Sequence, residues 1–364
     1  MSNIGFVGSY GWPRGICYIY NMLAKTLKTE HKIFLLQRGT NKWSEEFEKI
    51  KHVVKHEGYD IKKEFFSKWL TDNKINSVIF NEEQWQGIYQ TDTLVDICNE
   101  LGVKALHYVV WEKFNLQDFE YYEKFDKIIC PTKSCYERLL NFGFENVEYV
   151  RWGADPKIFK SFKRPKNKKT IFLHVGGYGG IRDRKNTPAV VESFKKLKRN
   201  KEAILIITRQ DVQNFDNKNG IHKYKDAENV KLIVGTFSQK DLIKLYNDAD
   251  VIVLPSKWEG NGLPFHESLA MGKPVITIDA PPMNEVIKDG INGLLCATDE
   301  SEHLDGIFVN AYPVNVKSLT TKMNIALQPE LLELMKCNAK VTFDRIWNWN
   351  INSKKILKII KELK

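Results

Sequence analysis

"ADVIVLPSKWEGNGLPFHESLAMGKPVI", residues 249–276, contains a strand, a turn, a helix and a second strand in one run. "DVIVLPS" is continuously apolar, as a strand covered on both faces requires. Trp258 and Glu259 leave its carboxyl end, and Gly260, Asn261 and Gly262 permit unusual φ and a close approach of backbone to a ligand. Pro264 suits the first position of a helix, residues 265–271 read as that helix, and Gly272 reads as its stop. In open parallel sheets, ligands lie beyond the carboxyl ends of the strands. Two carboxylates, Glu259 and Glu267, fall at that end, one before the turn and one on the first turns of the helix.

A helix N-terminus offers N–H groups and partial positive charge, which favour phosphate. A carboxylate accepts two hydrogen bonds side by side and matches the vicinal hydroxyls of a sugar or ribose. Phosphate between two polyols is the chemistry of a nucleotide sugar. The plainer reading makes Glu259 a turn residue and Glu267 a solvated helix residue, and an isolated ExxxxxxxE would carry no more than that.

Outward from this stretch, short apolar runs alternate with longer amphipathic ones. In the first half "NIGFVGS", "KIFLLQRG", "INSVIFNEE", "VKALHYVVWE", "FDKIICPT" and "VEYVRWG" read as strands. Helices are expected in "ICYIYNMLAKTLKT", "FFSKWLTDN", "TDTLVDICNELG" and "KSCYERLLNFGF". "DPKIFKSFKRPKNKKT" is polar, basic and proline-containing and reads as a linker. Alternation then restarts, with strands in "IFLHVGG", "AILIITR", "KLIVGT", "DVIVLPS" and "PVITID". Helices are expected in "NTPAVVESFKKLK", "SQKDLIKLYNDA", "PFHESLAMG" and "MNEVIKDG". The closing "NWNINSKKILKIIKELK" reads as one amphipathic helix with Ile351, Ile356, Leu357, Ile360 and Leu363 on one side. The βαβα order specifies mostly parallel sheets covered on both faces, and 364 residues suit two such domains.

With 43% hydrophobic and 27% charged residues, the chain has a globular composition. No run approaches the roughly 18 apolar residues of a membrane span, and "MSNIGFVGSYGWPRG" lacks the pattern of a signal peptide, so a cytoplasmic protein is expected. Six scattered cysteines with no CxxC pair read as reduced thiols without a zinc site. Residues 1–150 carry 19 Lys/Arg against 21 Asp/Glu, and residues 151–364 carry 36 against 24. The basic excess therefore belongs to the second half. It reads as solvated linker and helix faces, or as a field that draws a phosphorylated ligand. The lysines are not interleaved with stacking aromatics, which disfavours nucleic acid.

Residues 249–295, together with "NVKLIVGTFSQKDLIKLYNDAD" upstream, resemble the C-terminal domain of the GT-B glycosyltransferases, in particular the large retaining family GT4, the group 1 glycosyltransferases. The resemblance covers most of residues 170–300 well and the first half by layout. It implies an α/β GT-B fold of two Rossmann-like domains with a nucleotide-sugar cleft between them. The expected bounds are 1–160 for an acceptor domain, 161–340 for a donor domain, and 341–364 for a helix crossing back to the first. By the same resemblance Glu259 addresses donor-sugar hydroxyls and Glu267 binds the ribose. The backbone of Asn261, Gly262 and Leu263 lies beside diphosphate and sugar.

"HVGGYGGIRDRKNTP" supplies Arg182, Arg184 and Lys185, with Asn186 or Thr187 expected to cap the next helix. Cations there can neutralise a departing diphosphate. The family's lysine matches Lys185, but Gly177 stands where its arginine is expected; Arg182 or Arg184 replaces it, with Arg182 preferred. Thr236 and Phe237 are candidates for the base, and Arg209 for a further phosphate contact.

In the first half, "VGSYGWPRG" is not GxGxxG, and the second strand ends in "LLQRG" without an acid for an adenosine ribose, so NAD is disfavoured. Gly11 and Trp12 are expected near the donor phosphates and Arg14 near the acceptor. Glu112, with Trp111 as a packing wall, is preferred over His107 at the end of its strand, where the bland reading of His107 is a core histidine. Glu82 and Trp85 are candidates for the acceptor side, along with Glu83.

The function expected is retaining transfer of a sugar from a UDP- or GDP-sugar to a saccharide, lipid-linked or other hydroxyl acceptor, in glycan or cell-surface polysaccharide biosynthesis. No DxD lies in a suitable loop, so no metal or other cofactor is expected. Contact with the inner face of a membrane is a further expectation. A sugar-nucleotide epimerase or hydrolase on the same fold, or a binding protein without turnover, are the alternatives.

Overall fold

The computed structural model describes residues 1–8, 15–38, 50–56, 60–80, 88–109, 119–165, 168–177, 183–210, 228–303 and 310–363. The chain forms two compact units, Met1–Trp152 with Asn352–Lys364, and Gly153–Ile351. The first boundary thus falls at 153 rather than 161, and residues 341–351 stay with the second unit. Among the described residues no helix is long and apolar enough to cross a membrane.

The first unit holds a seven-stranded parallel sheet. Its strands are β1 (Asn3–Gly8), β2 (Lys32–Arg38), β3 (His52–His56), β4 (Ser77–Phe80), β5 (Lys104–Tyr108), β6 (Lys127–Cys130) and β7 (Val147–Tyr149), in the order β3-β2-β1-β4-β5-β6-β7. All four residues of β4 are buried. Successive side chains point to opposite faces, so both faces are covered, which is why these runs are apolar throughout. β3 was not among the expected strands. Its sequence "HVVKH" lacks an apolar run because it is a half-exposed edge, held by register with β2 and a ring stack of His52 on Phe34 at 4.7 Å.

The second unit repeats the plan with β8 (Thr170–Val175), β9 (Ala203–Arg209), β10 (Val230–Val234), β11 (Val251–Val253), β12 (Val275–Ile278) and β13 (Gly293–Cys296). All six are parallel, in the order β10-β9-β8-β11-β12-β13. The order reverses between β8 and β11. At such a switch point the loops leaving the two strands diverge and open a crevice at their carboxyl ends.

Two parts of the chain differ from their expected form. The basic stretch after residue 153 is not a free linker. Phe159 is buried edge-on against Tyr246, and Arg164 pairs with Asp250 and donates to the Asp248 carbonyl at 2.8 Å. Gly153 is required there by close approach, because a Cβ would lie 2.3 Å from the Trp347 carbonyl oxygen. The closing helix is also broken. Ser353 separates Trp349–Asn352 from Lys354–Glu362, leaving Ile351 exposed while Ile356, Ile359 and Ile360 are buried in the first unit. Lys355–Glu148 at 3.1 Å and Lys361–Glu30 at 2.6 Å flank that buried face.

Candidate functional site

The loops after β8 and β11 are drawn together by backbone and amide bonds. Lys257 N–H donates to the Arg184 carbonyl at 2.8 Å, and Asn186 Nδ2 donates to the Pro255 carbonyl at 2.7 Å. Asn186 sits at the N-cap of helix Thr187–Lys195 with φ 56°, but its side chain does not cap that helix. The expected cap is instead a clamp between the two loops. Beneath it, His174 on β8 contacts the Val253 carbonyl through Nδ1 at 2.8 Å and the Thr187 hydroxyl through Nε2 at 3.0 Å. Burial pushes its pKa down to about 4, with the Lys185 and Arg209 charges adding to the effect, so the ring is neutral and joins β8, β11 and the helix start.

This clamp places two cations on one carboxylate. Arg184 Nη1 donates to Glu259 Oε2 at 2.8 Å and Lys185 Nζ donates to Oε1. The side chains of Glu259 and Lys185 are 7% and 8% exposed. Burial alone would raise the Glu259 pKa, but the Arg184 and Lys185 charges outweigh it and hold the carboxyl at about 2. Glu259 is therefore ionised at any physiological pH.

Gly262 follows as the N-cap of helix Leu263–Ala270, with φ 62°. A Cβ there would be strained and would lie 2.5 Å from the Phe265 ring. The helix starts one residue earlier than expected, which puts Pro264 at its second position. Asn261 carries two buried amide atoms, Oδ1 and Nδ2, with no hydrogen-bond partner among the described residues, while its carbonyl meets His266 Nε2 at 3.3 Å.

Glu267, on the same helix, has a different environment. It is 6% exposed, and the Tyr246 hydroxyl donates to its Oε2 at 2.8 Å. Among the described residues no cation pairs with it. Burial pushes its pKa up to about 7, against the lowering effect of the Tyr246 hydrogen bond.

The other expected residues stand in varied surroundings. Arg209 ends β9, is 2% exposed, and lies over Gly176, where a Cβ would come within 2.7 Å of its Cδ. Gly177 has φ 50°, a conformation that favours glycine over the arginine expected there. Thr236 is exposed and Phe237 half-buried in the loop after β10. His107 is not on an acceptor surface. It is fully buried on β5 against Tyr121, Tyr122 and Phe125, and burial pushes its pKa down to about 3. The strand end expected to present it faces the apolar core instead. Gly11, Trp12, Arg14, Glu82, Glu83, Trp85, Trp111, Glu112 and Arg182 lie outside the described residues. Sequence reading missed His174 and Tyr246, since an apolar-flanked His or Tyr carries no signal of its partner.

Comparison with known proteins fits this geometry. Residues 155–307, all within the second unit, match the family described as Glycosyl transferases group 1. The probable sucrose-phosphate synthase of Thermosipho melanesiensis is 32% identical over 123 residues, 32% of this chain and 29% of that protein. The chain spans less than half the length of the curated relatives it matches. Among solved structures, a glycosyltransferase from Rickettsia africae superposes with a TM-score of 0.78 at 17% identity, covering 100% of this chain and 98% of that one. Anabaena HepE in complex with UDP and glucose gives 0.75 at 13% identity, with 100% of both chains covered. These likenesses show the fold, the two Rossmann-like α/β domains of GT-B glycosyltransferases.

Proposed function

We propose that the chain is a group 1 glycosyltransferase that moves a sugar, with retention of anomeric configuration, from a UDP- or GDP-sugar to a saccharide, lipid-linked or other hydroxyl acceptor. The observation that carries this reading is Glu259, ionised and clamped by Arg184 and Lys185 at the β8–β11 switch point, at the threshold of helix Leu263–Ala270. A diphosphate brought there meets two cations and a helix start. Glu259 then accepts hydrogen bonds from sugar hydroxyls, and Glu267 takes the ribose diol. Anabaena HepE, of the same fold, binds UDP, which supports the donor class.

In the step proposed, the acceptor oxygen bonds to the anomeric carbon on the face that the diphosphate leaves. The glycosidic C–O bond breaks, and the acceptor proton passes to a departing diphosphate oxygen. Lys185 and Arg184 stabilise the negative charge that develops, with Arg209 and Arg182 as further candidates. These cations serve the role that a metal serves elsewhere, and no cofactor enters. Gly11 and Trp12 are assigned to the phosphates, with Arg14, Glu82, Trp85, Trp111 and Glu112 assigned to the acceptor side. The chain works in the cytoplasm or at the inner face of a membrane, in glycan or cell-surface polysaccharide synthesis.

A panel of UDP-, GDP- and ADP-sugars, read by thermal shift and by sugar release, tests this reading. Stabilisation and slow release by a UDP- or GDP-sugar, both lost in Lys185→Ala, is the expected result. Binding without any release, with or without acceptors, would identify a binding protein. Rapid release that acceptors do not divert would identify a hydrolase, and an epimerised product an epimerase.

A further inference from the structure

Glu267 is held by Tyr246, a residue that lies outside the loop-and-helix motif carrying both acids and had no role assigned from the sequence. Tyr246 lies in the last turn of helix Gln239–Asp248, 21 residues upstream, and its side chain is wholly buried. Its ring is fixed edge-on against Phe159 with centroids 6.3 Å apart, so the hydroxyl has a defined position. That hydroxyl donates to Glu267 Oε2 at 2.8 Å. A buried carboxyl without a cation has several rotamers of similar energy unless a hydrogen bond selects one. A phenol is suited to this, because it brings a single donor on a rigid ring and loses little entropy when fixed. With Oε2 engaged, Oε1 and the remaining lone pairs are left for a ligand.

We infer that Tyr246 is a positioning residue that orients the Glu267 carboxylate toward the vicinal 2′- and 3′-hydroxyls of the donor's ribose. The inference rests on the ribose role proposed for Glu267 and adds the residue through which that role is set. Tyr246 itself does not touch the ligand. Its effect is therefore confined to ligands that carry the diol, which a general packing role would not produce.

The test uses full-length wild type, Tyr246→Phe, Glu267→Gln and the double variant. Each is titrated calorimetrically with UDP and GDP and with their 2′,3′-dideoxy counterparts, and KM and kcat are measured with the accepted donor. In Tyr246→Phe, affinity for the ribonucleotide falls about tenfold, the worth of one buried hydrogen bond to a charged group, while affinity for the dideoxy nucleotide changes less than about twofold. KM rises by a similar factor and kcat holds. In the Glu267→Gln background, Tyr246→Phe adds nothing further, since the two act on one contact.

Equal weakening of both nucleotides by Tyr246→Phe would make Tyr246 a packing residue and overturn the inference. So would an unchanged affinity for the ribonucleotide. If Glu267→Gln discriminates the diol and Tyr246→Phe does not, the positioning role alone fails. If Glu267→Gln is itself indifferent to the diol, the ribose reading falls and this inference with it. The Phe variant keeps the ring against Phe159, and its melting curve separates misfolding from a binding defect.

Discussion

Glu259 and Glu267 lie eight residues apart in one loop-and-helix segment, equally buried, yet the fold treats them in opposite ways. Glu259 sits where two adjacent parallel strands release their loops, and the neighbouring loop supplies Arg184 and Lys185. Glu267 sits on the helix that follows and receives a single phenol hydroxyl. Desolvation raises both carboxyl pKa values, but only the first is offset by positive charge, so one falls to about 2 and the other rises to about 7. The lesson is that a pair of acids in a motif is not a pair in chemistry. The first is a fixed anion that organises cations, and the second is poised between charged and neutral forms.

The largest effect expected is from removing the first acid. Glu259→Ala removes the carboxylate that buried Lys185 and half-buried Arg184 share, which costs about 3–5 kcal/mol of the second unit's stability. Turnover falls at least about 100-fold. Denaturant unfolding and steady-state rates read the two losses. Recovery of much of the stability in Glu259→Ala/Lys185→Met would show that the stranded charge, not lost packing, was the cause.

Gly262→Ala comes next. The new Cβ would occupy a left-handed conformation and meet the Phe265 ring, at a cost of about 1–3 kcal/mol. It also rotates the loop carrying Glu259 relative to the helix carrying Glu267. A lower melting temperature together with a raised donor KM is the expected pair of readouts; an unchanged KM would mean that the loop's geometry does not matter to binding.

The pH dependence separates the two acids more finely. Glu267 has a folded pKa raised from 4.5 to about 7, so its contribution to stability is full below about pH 4.5 and is lost as pH rises through 7. Glu259 has a lowered pKa, so its contribution is present above about pH 4.5 and is lost as pH falls through 2. Melting temperature measured against pH should therefore lose its decline between pH 4.5 and 7 in Glu267→Gln. A Glu267→Gln curve parallel to wild type over that range would show that Glu267 does not titrate there.

The smallest effect is expected at a half-exposed pair in the same unit. Lys322 lies 2.9 Å from Asp289, and Lys322→Ala should cost no more than about 1 kcal/mol. A loss comparable to that of Glu259→Ala would undermine the distinction drawn between buried and surface charge.

Much of this architecture can be read in the order of residues. Runs such as "DVIVLPS" are apolar at every position because parallel strands are covered on both sides, and that alone indicates the sheet. β3 escaped because an edge strand needs no such run. Gly262 and Pro264 announce a loop that becomes a helix, and Glu259, Lys185 and Glu267 stand out as charged residues next to strand ends. His107, kept as an acceptor-side candidate behind Glu112, takes its plainer reading as a core histidine. A polar residue near a strand's end looks like a site residue, but here the ring is surrounded by Tyr121, Tyr122 and Phe125.

Local pattern determined the two α/β units and the position of both acids, since periodicity and turn chemistry depend on near neighbours in the chain. Charge state and orientation were decided by tertiary structure alone. Glu259 takes its cations from 74 and 75 residues away, and Glu267 takes its hydroxyl from 21 residues away. A carboxyl's pKa depends on how far water is excluded and on which charges stand within a few ångströms, and both are set by which strands lie side by side.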